Sequence, residues 1–164
     1  MIFKDDRLEV TFTYLEMHEP PSQSPTHPPN LKHPVMLTRI MDPTISFYRY
    51  LYNVVGEPWL WYERRIMDDE KLRHIIHDDK IEIYCLFVGG VPAGYAELNR
   101  HEGVDIELSY FGLVPEFIGK GLGRYFLEAM AIRLISPFPT LKKKYFIAAL
   151  IYSITFLCWR VGKT

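Results

Sequence analysis

The stretch PEFIGKGLGRYFLEAM, residues 115–130, decides how the rest of the chain is read. Gly119, Gly121 and Gly123 alternate along it; an apolar run precedes them and a helix-forming run follows. Each glycine loses more backbone freedom on folding than any other residue, so three of them serving packing alone is the poorer reading. A glycine-rich turn at a helix N-terminus presents unpaired N–H groups and the positive end of the helix dipole. Anions bind there, phosphates above all.

Two familiar phosphate fingerprints do not fit. The dinucleotide pattern G-x-G-x-x-G needs a third glycine where the chain has Arg124 or Phe126, and an acid about twenty residues further on, yet no acid follows Glu128. The P-loop pattern is suggested by the closing Val161-Gly162-Lys163-Thr164, but its first glycine is replaced by Leu157 and no helix can follow the last residue.

Size and charge narrow the field. The chain has 164 residues, 48% apolar and 24% charged, enough for one domain with a real core. A net charge of −1 argues against nucleic acid as a partner, which calls for a basic patch or stripe. Cys85 and Cys158 match no zinc or redox spacing, the six histidines are scattered, and no metal site is expected. MIFKDDRLEVTF lacks the apolar core of a secretory signal; with the cysteine usage it predicts a cytoplasmic protein. The charge is unevenly spread. Residues 136–164 hold Lys142, Lys143, Lys144, Arg160 and Lys163 and no acid, which leaves a net −6 on the remainder.

Periodicity supplies the elements. Residues 8–17 (LEVTFTYLEM) and 35–40 (VMLTRI) read as strands, pairing as a hairpin across a Pro-rich loop at 18–34. A helix follows, capped by Asp42 with Pro43 at its first position, its stripe Ile45, Tyr48, Leu51, Tyr52 and Val55, its end Gly56. WLWYERRIM after Pro58 reads as a short aromatic helix, and Asp68 caps another. The period then changes. Residues 80–89 and 91–100 are strands joined at Gly89-Gly90, and 106–114 is a third. Residues 121–135 make an amphipathic helix with Leu122, Phe126, Met130 and Leu134 or Ile135 on its apolar stripe. The order predicts an α+β fold with one mixed sheet.

On these residues the chain resembles the GNAT-type N-acetyltransferases over 8–135. Ile118-Gly119-Lys120-Gly121-Leu122-Gly123 is similar to their acetyl-CoA signature (Q/R)-x-x-G-x-(G/A) at a strand–loop–helix junction, with Ile118 in place of the opening Gln or Arg. LVPEF before it, GRYFLEAM after it and VGGVPAGYAEL in the preceding meander are also similar. The resemblance implies a mixed, mostly antiparallel sheet flanked by helices, and acetyl transfer from acetyl-CoA to a primary amine by direct attack in a ternary complex. It implies that the backbone N–H groups of Gly119, Lys120, Gly121, Leu122, Gly123 and Arg124 bind the pyrophosphate. Pantetheine would run along Phe111, Gly112 and Leu113, with the Leu113 N–H as donor to the thioester carbonyl. Gly112 interrupts the apolar run, as a bulge would.

An ammonium with a pKa near 10.4 must lose a proton before it attacks. Glu107, mid-strand, is the candidate base: matched to the glycine motif it falls where histone-type members of the family carry a catalytic glutamate. Glu97 on the neighbouring strand is expected nearly opposite, provided that the register does not slip by one. Two facing carboxylates would raise one pKa toward a base's working range. Tyr52, Trp59, Trp61, Tyr62 and Glu63 are candidates for an acceptor pocket beside an aromatic wall, with core packing as the competing reading for each. The acceptor's identity stays open.

The family pattern stops near residue 135; its later strands and helix have no visible counterpart, so 1–135 reads as the domain and 136–164 as a basic, apolar tail. Three readings of the tail stand: a tail from altered splicing, a frameshift or a misread gene end, which is favoured; a segment pairing at the fifth-strand position; and membrane contact by 145–159, short for a span at roughly 22 Å of helix. A non-catalytic acyl-CoA-binding or interaction protein is the rival to an enzyme.

Overall fold

A computed structural model describes residues 15–17, 27–100, 106–135 and 145–147. Six strands form one sheet in the order β1-β6-β5-β4-β3-β2. Its body is the antiparallel run β2 (Val35–Ile40), β3 (Ile81–Val88), β4 (Val91–Asn99) and β5 (Ile106–Leu113). β3 turns into β4 through Gly89 and Gly90 at φ +59° and +85°, a two-residue turn whose twist matches the strands.

Helices cover both faces. α1 (Ile45–Gly56) and α2 (Asp69–Ile76) lie on one side, where Tyr48, Leu51, Val55, Leu72, Ile83 and Tyr95 make a buried cluster. α3 (Leu122–Ile135) covers the other, packing Leu122, Phe126, Met130 and Leu134 on Leu86, Leu98 and Leu108. A fully buried Leu or Phe contributes about 1.5–3 kcal/mol, so the periodic stripes drive the layering. Two glycines set how closely the layers meet. A Cβ on Gly94 would stand 2.9 Å from Leu113 Cδ2, and one on Gly112 2.5 Å from Val55 Cγ1. Gly112 therefore answers to α1, and the bulge expected there lies elsewhere.

Other expectations shift for local reasons. β1 (Leu15–Met17) does not pair with β2; it lies at the far edge, antiparallel to β6 (Tyr145–Ile147). β2 pairs with β3, register Val35↔Val88 to Ile40↔Ile83. The remaining residues of the expected first strand, 8–14, lie outside the described residues, as do 18–26 of the Pro-rich loop and the turn 101–105. α1 is capped by Thr44, whose hydroxyl accepts from the Phe47 N–H at 3.3 Å. Asp42 pairs instead with His77 at 3.2 Å. Asp68 caps α2 as expected, accepting from Lys71 at 2.8 Å.

WLWYERRIM is not a helix. A 3-10 turn spans Glu57–Trp59, Leu60 then takes φ +59°, and the Trp61 N–H donates back to the Gly56 carbonyl at 3.1 Å. That reversal tucks the Trp61 ring over Gly56, where a Cβ would collide with Cε3. A continuous helix would have carried the ring off the core. Polar tethers hold the rest of this connection: Arg49 reaches the carbonyls of Arg64, Arg65 and Met67 at 3.0, 3.2 and 2.6 Å, and Arg65 Nε reaches Asn53 at 3.1 Å.

The tail contributes β6, parallel to β5 through Ile106↔Tyr145 and Glu107↔Phe146. This is the fifth-strand place, the second of the three readings of the tail. The other residues of the tail, with the 148–159 part of the membrane-contact reading and the closing Gly-Lys-Thr, lie outside the described residues.

Candidate functional site

The glycine turn sits between β5 and α3. A 3-10 turn at Pro115–Phe117 leads to Ile118 in extended backbone, then Gly119 at φ +80° and Gly121 at φ +78°. A side chain there is strained by conformation and not by space: a Cβ on Gly119 meets nothing within 4 Å, and one on Gly121 only Pro29 Cβ at 3.6 Å. Positive φ alternating with ordinary φ is the backbone pattern that can turn successive N–H groups toward an anion. The turn opens α3, so the helix N-terminus adds its partial positive charge. Gly123 has no positive φ, and its Cβ position lies 3.7 Å from Leu113 Cδ1, an ordinary contact. Leu122 is buried and anchors α3. Lys120 holds its ammonium 5.0 Å from the Phe117 ring, and Arg124 pairs with Glu128 at 2.8 Å, so both cations stay at the rim.

The edge of β5 is the second feature. Val114 donates to the Ala93 carbonyl at 3.0 Å. The register Gly94↔Leu113, Tyr95↔Gly112, Ala96↔Phe111 continues from that bonded pair. Antiparallel pairs alternate between bonded and non-bonded, so Phe111 and Leu113 direct their N–H and C=O groups away from β4. On that outer side β6 pairs only with Ile106 and Glu107; among the described residues no strand covers Leu108–Leu113. The side chains of Phe111 and Leu113 pack toward α3, Phe111 stacking on Phe126 at 5.0 Å between ring centroids. The open backbone edge runs directly into the glycine turn.

The register of β5 shifts at Glu97 and Leu98: Glu97 stands opposite Tyr110, and Leu98 opposite Leu108. Ser109 is the extra residue, and it restores Tyr110 to the α1 face. The expected facing pair of carboxylates is therefore absent, since Glu107 lies opposite Asn99. Glu97 is fully buried. It accepts from Tyr48 at 2.7 Å, Tyr95 at 2.6 Å and Arg64 Nη2 at 3.0 Å. Burial first, and then the neighbouring Glu97 charge, push the Tyr48 and Tyr95 phenols well above their ordinary range. Burial alone would lower the Arg64 guanidinium; the Glu97 carboxylate holds it above its usual value. The four groups form an internal clamp.

The other acceptor candidates separate. Tyr52 is a core residue, 1% exposed, whose hydroxyl accepts from the Arg64 N–H at 3.4 Å. Trp61 is buried, Trp59 half-buried against the α1–α2 cluster, and Tyr62 exposed. Glu63 accepts from the Tyr110 hydroxyl at 2.6 Å. Glu107 and Leu113 are six residues apart on one strand, about 20 Å, so they do not touch the same atoms. Tyr110 and Arg64 were not singled out in the sequence, because only the bulge and the 57–68 reversal bring them beside the β5 edge.

Burial pushes the Cys85 thiol up to about 12, which leaves it unionised near neutral pH. Among the described residues no three His, Cys, Asp or Glu side chains are grouped to hold a metal. No helix among them is long and apolar enough to cross a membrane.

The sequence matches no family model and no curated protein. Its fold does have relatives. An aminoglycoside acetyltransferase from an uncultured soil metagenomic sample superposes with a TM-score of 0.50 at 11% identity, over 61% of this chain and 69% of that one. A GCN5-related N-acetyltransferase from Kribbella flavida gives a TM-score of 0.52 at 11% identity, over 94% of this chain; this chain spans only 55% of that protein. The chain has the fold of the GNAT-type N-acetyltransferases.

Proposed function

We propose that this chain transfers an acetyl group from acetyl-CoA, as co-substrate, to a primary amine. The observation that carries the reading is the junction of an open β5 edge with a glycine turn held in the left-handed region at Gly119 and Gly121. A pyrophosphate suits the turn, and an extended amide-bearing arm suits the edge. Few other ligands need both side by side. CoA supplies the activated thioester; the protein binds it, orients it and handles a proton.

In this reading the N–H groups of Gly119 to Arg124 cradle the pyrophosphate. Pantetheine pairs with the outward groups of Phe111 and Leu113 like an added strand, past Gly112. The Leu113 N–H, or that of Phe111 one step back, meets the oxygen on which charge develops. The α3 face is filled by Phe111, Leu113 and Phe126; in this reading the amine enters by the 57–68 connection, where Tyr62 is exposed and Glu63 half-buried. Nitrogen attacks the carbonyl carbon, the C–S bond breaks, and the amine's proton ends on the departing thiol. Glu107, placed well along the strand from Leu113, assists as a base only through intervening water.

The test is thiol release from acetyl-CoA with benzylamine, a lysine-containing peptide and sisomicin as separate acceptors. The expected result is amine-dependent release that Gly119→Val removes. A folded wild-type chain that binds acetyl-CoA and releases no thiol with any of them would make it a non-catalytic acyl-CoA-binding protein.

A further inference from the structure

Resting on that reading, we infer that Tyr110, backed by Glu63, is the group that takes the proton from the attacking amine. The bulge at Ser109 puts Tyr110 on the α1 face, beside the 57–68 connection and next in sequence to Phe111, whose N–H points out of the free edge. Its hydroxyl donates to Glu63 Oε2 at 2.6 Å, a short charge-assisted bond. Glu63 is half-buried and retains contact with solvent, as a proton's exit requires.

Among the described residues, the other titratable groups beside Tyr110 are committed elsewhere. Glu97, its register partner on β4, is consumed by Tyr48, Tyr95 and Arg64. From the 57–68 connection Arg64 sets its guanidinium 5.5 Å from the Tyr110 ring centroid, and it is already bonded to Glu97. From α1, Tyr52 packs edge-on at 5.2 Å and receives the Arg64 N–H. The aromatic packing of Tyr52 and Trp61 leaves Tyr110 5% exposed, with its oxygen fixed toward Glu63.

The step balances without another reagent. A proton of the ammonium passes to Tyr110 Oη while the phenolic proton passes to the Glu63 carboxylate and from there to solvent. The freed amine attacks, the C–S bond breaks, and the nitrogen's second proton ends on the departing thiolate. Burial above all, then the Glu63 bond, push the Tyr110 phenol far above its ordinary range. A free phenolate is therefore avoided, and the two transfers are concerted. Tyr110 touches the substrate; Glu63 acts through it.

Glu63→Gln and Tyr110→Phe each keep the local volume. Both are expected to bind acetyl-CoA like the wild type by calorimetry. At pH 7 both should lose about a hundredfold or more in kcat/KM toward benzylamine and the lysine peptide. The pH profile separates chemistry from packing. With the lysine peptide the variants should rise about tenfold per pH unit until its amine deprotonates near 10.4, while the wild type should rise less steeply. A variant within about threefold of wild type at pH 7, or one whose profile runs parallel to it, overturns the relay while leaving acetyl transfer intact. A wild-type chain that acetylates neither amine overturns the relay together with the function on which it rests.

Discussion

Gly119 and Gly121 are the residues on which most depends, and the physics there is conformational. Neither has a crowded side-chain position, so the cost of Gly119→Ala is the left-handed penalty, about 1–2 kcal/mol. Thermal melts are expected to show that modest loss while acetyl-CoA affinity falls by more than tenfold. A variant that melts lower but binds equally well would reduce the turn to a structural feature. Glu97 behaves in the opposite way. Arg64→Met leaves a fully buried carboxylate without its cation, at a cost on the order of 3–5 kcal/mol in urea unfolding. A loss below about 1 kcal/mol would mean that the two tyrosines alone suffice. The glycines were legible because positive φ restricts residue type. The clamp was not, because Arg64 and Glu97 are far apart in sequence and meet only after the chain reverses at Leu60.

At the scale of elements, α1 and β5 meet through Gly112. A Cβ there stands 2.5 Å from Val55 Cγ1, so Gly112→Ala is expected to cost about 1–3 kcal/mol by overpacking. Val55→Ala should recover part of that loss in the double variant, and strict additivity in a double-mutant cycle would contradict the contact. β3 is tied to the end of β4 and to α3 by Glu82, which receives Arg100 at 2.9 and 3.0 Å while Arg100 also reaches the Arg133 carbonyl at 2.9 Å. Burial alone would raise the Glu82 carboxyl, but Arg100, Tyr84 and Arg39 hold it below its ordinary value. Its contribution to stability is present above the unfolded carboxylate pKa and fades as pH falls through the lower folded value. Acid titration of unfolding should therefore show a loss below about pH 4 that Glu82→Gln removes. An unchanged acid limb in that variant would assign the loss to other carboxylates. Most elements could be read in advance: alternation marked the meander, Gly89-Gly90 marked its turn, and Asp68 marked the start of α2. The bulge was hidden because Ser109 is an ordinary strand residue and nothing local distinguishes a one-residue register shift. The 59–67 stretch misled because its aromatics match a helical period that the left-handed Leu60 interrupts.

For the whole molecule, two faces of one sheet divide the work. α3 seals one side and opens on the glycine turn, while α1, α2 and the pinned 57–68 connection shape the other. The β5 edge proposed for the cofactor lies between them, where β6 pairs with Ile106 and Glu107 and, among the described residues, no strand covers Leu108–Leu113. The sheet order brings Leu15–Met17 and Tyr145–Ile147 together at the far edge, which the strand pattern alone did not indicate. The central claim is that this edge and this turn make one coenzyme A site, and calorimetric titration of acetyl-CoA into the full chain, wild type beside Gly121→Glu, tests it most directly. The account predicts saturable one-to-one binding, at least tenfold weaker in the variant because a carboxylate and a strained backbone enter the phosphate nest. Equal binding by both proteins, or none by a folded wild-type chain, would contradict it.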